Sequence, residues 1–234
     1  MAENVMVFNR IEKKYLLNHR QYLRLLETME QYMTLDQYGK HTICNIYYDT
    51  WEDQLVRNNF QKPIYKEKLR LRSYGIPDQN TPVFLEIKKK CQGIVYKRRI
   101  CFPLKELDVV LQNKKIAQTQ IEKEIAYFID FYKPLPRMYL AYDRRAFYGN
   151  QDQNLRITID ENIRSRTNQL DLALGDQGEL LFKEPTYLVE IKTIHAYPFW
   201  LVKVLNQAEI YPASFSKYNN VYKKQFNERM MKYV

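Results

Sequence analysis

Tyr65-Lys66-Glu67-Lys68-Leu69-Arg70-Leu71-Arg72 is the stretch from which the fold is read. Side chains alternate between the two faces of a strand. Lys66, Lys68, Arg70 and Arg72 therefore share one face, and Tyr65, Leu69 and Leu71 share the other, interrupted only by Glu67. An ordinary antiparallel sheet turns one apolar face to the core and a mixed polar face to water, whereas here the polar face is cationic throughout. Like charges two residues apart on a strand are about 7 Å apart and repel by roughly 2 kcal/mol at an effective dielectric near 20. Several such pairs would consume much of a typical stability of about 5–15 kcal/mol, unless water or a bound anion relieves them.

Working outward, the same period of two predicts strands over 5–15, 83–90, 94–102, 155–160 and 187–192 as well as 65–72. Charges again gather on single faces: Arg10, Glu12 and Lys14; Glu86, Lys88 and Lys90; Arg156, Thr158 and Asp160; Glu190 and Lys192. Helices are predicted over 18–32, 119–132, 198–210 and 217–231. Tyr22, Leu25, Leu26 and Met29 stand at helical spacing on the first, as do Ile121, Ile125, Phe128 and Ile129 on the second. If such helices cover the apolar sheet faces, the charged faces turn inward around a closed barrel with a basic, wet lumen.

Composition bounds the alternatives. The 234 residues are 45% hydrophobic and 14% aromatic, which excludes disorder. The six glycines and nine prolines are scattered and mark no linker, so a single domain over 1–234 is expected. A net charge of +10 points to an anionic partner. Cys44, Cys91 and Cys101 form no CxxC pair, and His19, His41 and His195 are too dispersed for a metal site. No apolar run is long enough to span a membrane and no secretory signal opens the chain. The expectation is a cytoplasmic protein without a transmembrane segment, with a membrane-protein partner left open. The 20 tyrosines fall on both faces of the predicted elements rather than on one platform, so no nucleic acid is expected as partner.

Neither GxxxxGK[ST] nor GxGxxG occurs, so a phosphate cradle here must be built from side chains. Arginine grips phosphate oxygens in pairs, and lysine acts as a mobile point charge. Glu190 stands among cations and needs either an ion pair or a hard divalent metal. Mg²⁺ or Mn²⁺ takes one or two protein carboxylates and completes its shell with water and phosphate. Ion pairing is equally open to Glu12, Glu86 and Asp160.

Arg10-x-Glu12-x-Lys14-Tyr15, Tyr47-Tyr48-Asp49-Thr50, Lys68-Leu69-Arg70-Leu71-Arg72, Glu86-Ile87-Lys88, Arg144-Arg145, Arg156-Ile157-Thr158-Ile159-Asp160, Glu190-x-Lys192 and Ser216-Lys217-Tyr218 follow one another along the chain. In this order the motifs resemble those of VTC domains, the polyphosphate polymerase domain of the vacuolar transporter chaperone complex and its free-standing bacterial relatives. The resemblance runs from about Phe8 to Tyr222. It implies the triphosphate tunnel fold: an α+β protein with an antiparallel β-barrel, a basic lumen and flanking α-helices. It also implies transfer of the γ-phosphate of ATP to a growing inorganic polyphosphate chain, with Mn²⁺ or Mg²⁺ as cofactor.

Carried over by motif, Arg70, Arg72 and Lys88 would act at the reacting phosphates and Glu190 would hold the metal. Arg10, Lys14, Lys68, Lys90, Arg98, Arg145, Arg156, Lys192, Ser216 and Lys217 would bind the remaining phosphoryl groups, with Arg99 in place of Arg98 if the register after Gly93 shifts by one. Two alternatives stay open. CYTH-type triphosphatases and adenylyl cyclases begin with ExExK, and this chain has Arg10 where their first Glu stands. A non-catalytic module binding polyphosphate or inositol phosphates would use the same cations without turnover.

Overall fold

The structure, a computed structural model, describes residues 11–61, 63–92, 94–112 and 118–231. The chain runs through β1 (Ile11–Asn18), α1 (His19–Met29), β2 (Met33–Leu35), β3 (His41–Asp49), α2 (Gln54–Phe60) and β4 (Tyr65–Tyr74). It continues through β5 (Pro82–Cys91), β6 (Ile94–Pro103), α3 (Leu107–Leu111), α4 (Gln120–Tyr132) and β7 (Leu135–Gly149). It ends with β8 (Arg156–Arg166), β9 (Glu179–Leu180), β10 (Thr186–Thr193), α5 (Phe199–Gln207) and α6 (Lys217–Met231). Residues 5–10 of the first predicted strand, Arg10 among them, lie outside the described residues.

Two compact units form. Of the described residues, the first comprises those within 11–41, 143–162 and 182–215, the second those within 42–142, 163–181 and 216–231. In the first unit β1 pairs β10 and β10 pairs β8, all antiparallel. Tyr15, Leu17, Val189, Ile191, Ile157 and Ile159 fall on one face and are buried. Tyr22, Leu25 and Met29 of α1 and Leu201, Val204 and Leu205 of α5 close that core, each large side chain contributing about 1.5–3 kcal/mol of burial. Asn18 starts α1 with a reciprocal capping box, its Oδ1 accepting from the Gln21 amide at 2.9 Å and its amide donating to the Gln21 side chain at 3.1 Å. α5 is shorter than expected, because Glu209 takes a left-handed φ of 53° just beyond it.

In the second unit β3, β4, β5 and β6 pair in sequence order, again antiparallel. Ile46, Tyr48, Leu69, Leu71, Leu85 and Ile87 are buried on one face, against Ile125, Phe128 and Ile129 of α4. Thr119 caps α4 through a second capping box. Glu67, the acid that interrupts the apolar face, accepts a hydrogen bond from the Tyr132 hydroxyl at 3.2 Å. That bond explains why a carboxylate is tolerated on the core side.

In both units the helices cover the apolar sheet face, as the alternation implied. β3 and β7 carry no predicted strand, for a physical reason. Seven consecutive residues of β3 are buried, so it lacks the apolar-charged alternation that marks the other strands. Among the described residues the hydrogen-bonded order is β1-β10-β8-β7-β3-β4-β5-β6, with β2 paired to β7 and β9 to β8. The expected α+β architecture, an antiparallel sheet of many strands with flanking helices, is thus the one found.

Candidate functional site

Register places the charges of the second unit. Residues paired across an antiparallel ladder share a face, and the pairs run Lys66–Lys90, Lys68–Lys88, Arg70–Glu86 and Arg72–Phe84 between β4 and β5. Lys88 in turn faces Lys97, and Glu86 faces Arg99, on β6. At the centre Arg70 Nε donates to Glu86 Oε2 at 2.6 Å and Arg70 Nη1 to the Tyr47 hydroxyl at 3.3 Å. Arg72 Nε donates to Asn45 Oδ1 at 3.0 Å and Nη2 to the Tyr142 hydroxyl at 3.3 Å, while Nε stands 3.8 Å from Glu86. Arg72 is only 8% exposed, whereas Lys97 and Arg99 on the same face are exposed.

Electrostatics follow from the crowding. Burial pushes the Glu86 carboxyl up, but Arg70 and Arg72 outweigh it and hold the group below the usual carboxylate range. Burial disfavours the Arg70 cation, and Tyr47 and Glu86 more than restore it, so its pKa is raised. Lys66 is lowered, by burial and then by Lys90 across the ladder. Such a row gains by receiving an anion.

The first turn of α6 meets the same row. Lys68 Nζ donates to Ser216 Oγ at 3.0 Å and Asn219 Oδ1 at 2.7 Å, and Lys217 lies over the Tyr142 ring at 4.3 Å. Asp49 anchors this turn. It is fully buried and accepts from the backbone amides of Leu55 and Val56 and, at 3.0 Å, from the Tyr218 hydroxyl. Tyr218 stacks on Tyr47 with ring centres 4.4 Å apart, and Tyr47 is the hydroxyl that Arg70 holds. The Tyr47-Tyr48-Asp49-Thr50 motif thus reads as a support for Arg70 and for the start of α6. Burial raises the Asp49 carboxyl, and its hydrogen bonds offset that only in part.

The first unit carries its own cluster. Glu12 faces Lys192, Lys14 faces Glu190, and Glu190 and Lys192 face Thr158 and Arg156. Glu190 is 8% exposed and stands 3.4 Å from Lys14 Nζ and 3.2 Å from Lys192 Nζ. Glu12 lies 3.9 Å from each of the same lysines. The Thr158 hydroxyl opposite Glu190 is buried and makes no hydrogen bond, and Arg156 is exposed. Next along β8, the buried Asp160 accepts two hydrogen bonds from Arg144, at 2.6 and 2.8 Å.

Lys14, Lys192, Arg156 and Glu190 thus gather in the first unit, and Lys68, Arg70, Arg72, Lys88, Lys90, Ser216 and Lys217 in the second. Two expected residues are placed elsewhere. Arg98 pairs with Ile87 on the core side and approaches Glu124 of α4 at 3.9 Å, so Arg99 is the arginine on the cation face. Arg145 turns to the helix side of its unit, bonded to the Tyr22 hydroxyl and to Glu161 at 3.2 Å, and Arg144 takes the charged face. Each pair is adjacent in sequence, and a shift of one residue on a strand reverses the face. Asn45, Tyr47, Tyr142 and Asn219 are further members that charge alternation had no means of showing.

Among the described residues no three His, Cys, Asp or Glu side chains come together as a metal cluster, and no helix is long and apolar enough to cross a membrane.

A family model described as the VTC domain matches residues 9–226. No curated protein matches the chain. Among solved structures, a candidate adenylate cyclase of Bacillus halodurans has TM-score 0.54 at 12% identity, covering 88% of this chain and 93% of its own. A candidate adenylyl cyclase of Hippeastrum, described as dominantly a triphosphatase, has TM-score 0.53 at 16% identity, covering 89% and 93%. At these identities the likeness shows a shared fold, of the triphosphate tunnel type.

Proposed function

The chain belongs to the VTC domain family, and on that premise we propose that it is a metal-dependent polyphosphate polymerase, moving the γ-phosphate of ATP onto a growing polyphosphate chain. The observation that carries this reading is the cation face of β4, β5 and β6, whose one acid, Glu86, is already matched by Arg70. A row of cations that runs from the buried Arg72 to the exposed Lys97 and Arg99 is suited to a linear polyanion.

Arg70 and Arg72 are the fork donors for the transferred phosphoryl oxygens, held in place by Glu86, Asn45, Tyr47 and Tyr142. Lys88 adds a point charge beside them. Phosphoryl transfer passes through a loose transition state, so alignment and charge neutralisation supply most of the acceleration. A phosphate terminus is already an anionic nucleophile and needs no general base. In the first unit Lys14, Lys192 and Arg156 bind phosphate oxygens, and Ser216, Lys217 and Lys68 do so at the start of α6.

The donor set around Glu190 fits a hard divalent ion: a half-exposed second carboxylate, Glu12, shares its lysines, and the buried Thr158 hydroxyl lacks a partner. Mg²⁺ or Mn²⁺ held there would neutralise phosphate charge. Lys14 and Lys192, which now stand beside Glu190, would then serve the phosphate oxygens.

Incubating the protein with ATP, Mn²⁺ or Mg²⁺ and a short polyphosphate primer tests the reading by phosphorus NMR. Growth of internal phosphate signals with matching ADP is the expected result. Release of orthophosphate alone would make the protein a triphosphatase, and tight polyphosphate binding without turnover a sensing or accessory module.

A further inference from the structure

The charged face of β4, β5 and β6 changes character at one end. Along β4 its residues are cations from Lys66 to Arg72, and the next on the same face is Tyr74; across from Arg72 stands Phe84. Phe84 is not a core residue. Its neighbours Val83 and Leu85 are fully buried on the opposite face, and Phe84 pleats away from them onto the charged one. Tyr74 is 50% exposed and meets Phe84 edge to face, with ring centres 5.6 Å apart and planes at 81°. Arg99 lays its guanidinium over the other ring, 4.8 Å from the centre of Phe84.

A linear inorganic phosphate is alike along its whole length and gains nothing from a pair of rings. A nucleoside triphosphate is charged at one end and aromatic at the other, and this face has the same polarity. We propose that Tyr74, with Phe84 and Arg99 braced behind it, is a nucleobase-stacking subsite for the donor nucleotide, whose triphosphate runs from Arg72 along the cation row. The inference rests on the phosphate reading above and adds where the nucleoside sits. Tyr74 lies two residues beyond Arg72, about 7 Å along the strand, which leaves room for a ribose between base and phosphate. Stacking uses the π face that every base has, so the subsite accepts nucleotides with little choice of base.

Equilibrium titrations of ATP and of inorganic tripolyphosphate in EDTA, where no turnover occurs, test this on the full chain. Tyr74→Ala is expected to weaken ATP about tenfold and to leave tripolyphosphate unchanged, which also shows that the variant is folded. Tyr74→Phe, which keeps the ring, is expected to bind both ligands as the unaltered protein does. Equal effects of Tyr74→Ala on the two ligands, or no effect on ATP, would overturn the base subsite and leave the phosphate reading standing. Failure of the unaltered protein to bind either ligand would overturn the phosphate reading and the subsite with it.

Discussion

Glu86 sits between two guanidiniums whose attraction exceeds the cost of its burial, and its carboxyl pKa is depressed in the folded state. A depressed carboxylate adds stability that is present above its unfolded value of about 4.3 and is lost as the pH falls through the folded value. Glu86→Gln should therefore be less stable than the parent at neutral pH, and the two urea midpoints should converge only as the pH falls below about 4.3. Arg70→Lys keeps a charge but loses the fork. It should lower the transfer rate about a hundredfold with an unchanged circular dichroism spectrum; loss of activity through unfolding would make the residue structural. Glu190→Gln should remove the dependence of activity on Mn²⁺ or Mg²⁺ together with most of the activity, measured across a metal titration. At this scale the sequence was legible where alternation is strict: Lys68, Arg70 and Arg72 stand where the period of two put them. It was not legible at Arg98–Arg99 or Arg144–Arg145, where both neighbours are cations and only the register tells which one faces which side.

Elements were legible in proportion to their amphipathicity. β4, β5 and β10 separate apolar from charged residues, and α1 and α4 carry apolar stripes behind capping boxes, so each is readable from local spacing. β3 is buried along nearly its whole length, and its role depends on tertiary partners. Asp49 at its end is such a case: the carboxylate joins the amides of Leu55 and Val56 to Tyr218, far along the chain. Tyr218→Phe removes one bond to Asp49 while keeping the ring on Tyr47. It should cost about 1 kcal/mol in urea denaturation and shift KM for the phosphate acceptor more than Thr119→Ala, a cap substitution of similar cost on the helix side of the same unit.

For the whole molecule the governing quantity is charge. A net +10 with cations in rows on the sheet face away from the helices means that phosphate binding should weaken steeply as salt rises, whereas helix-side ion pairs such as Lys89–Glu124, at 3.3 Å, have no part in it. β5 offers an internal control, because Lys88 and Lys90 lie on the cation face while Lys89 between them lies on the α4 side. The direct measurement is lysine acetylation followed by mass spectrometry, with and without a short polyphosphate. Polyphosphate is expected to protect Lys88 and Lys90 and to leave the rate at Lys89 unchanged. Equal protection at all three, or protection at Lys89 alone, would contradict the assignment of this sheet face as the phosphate site.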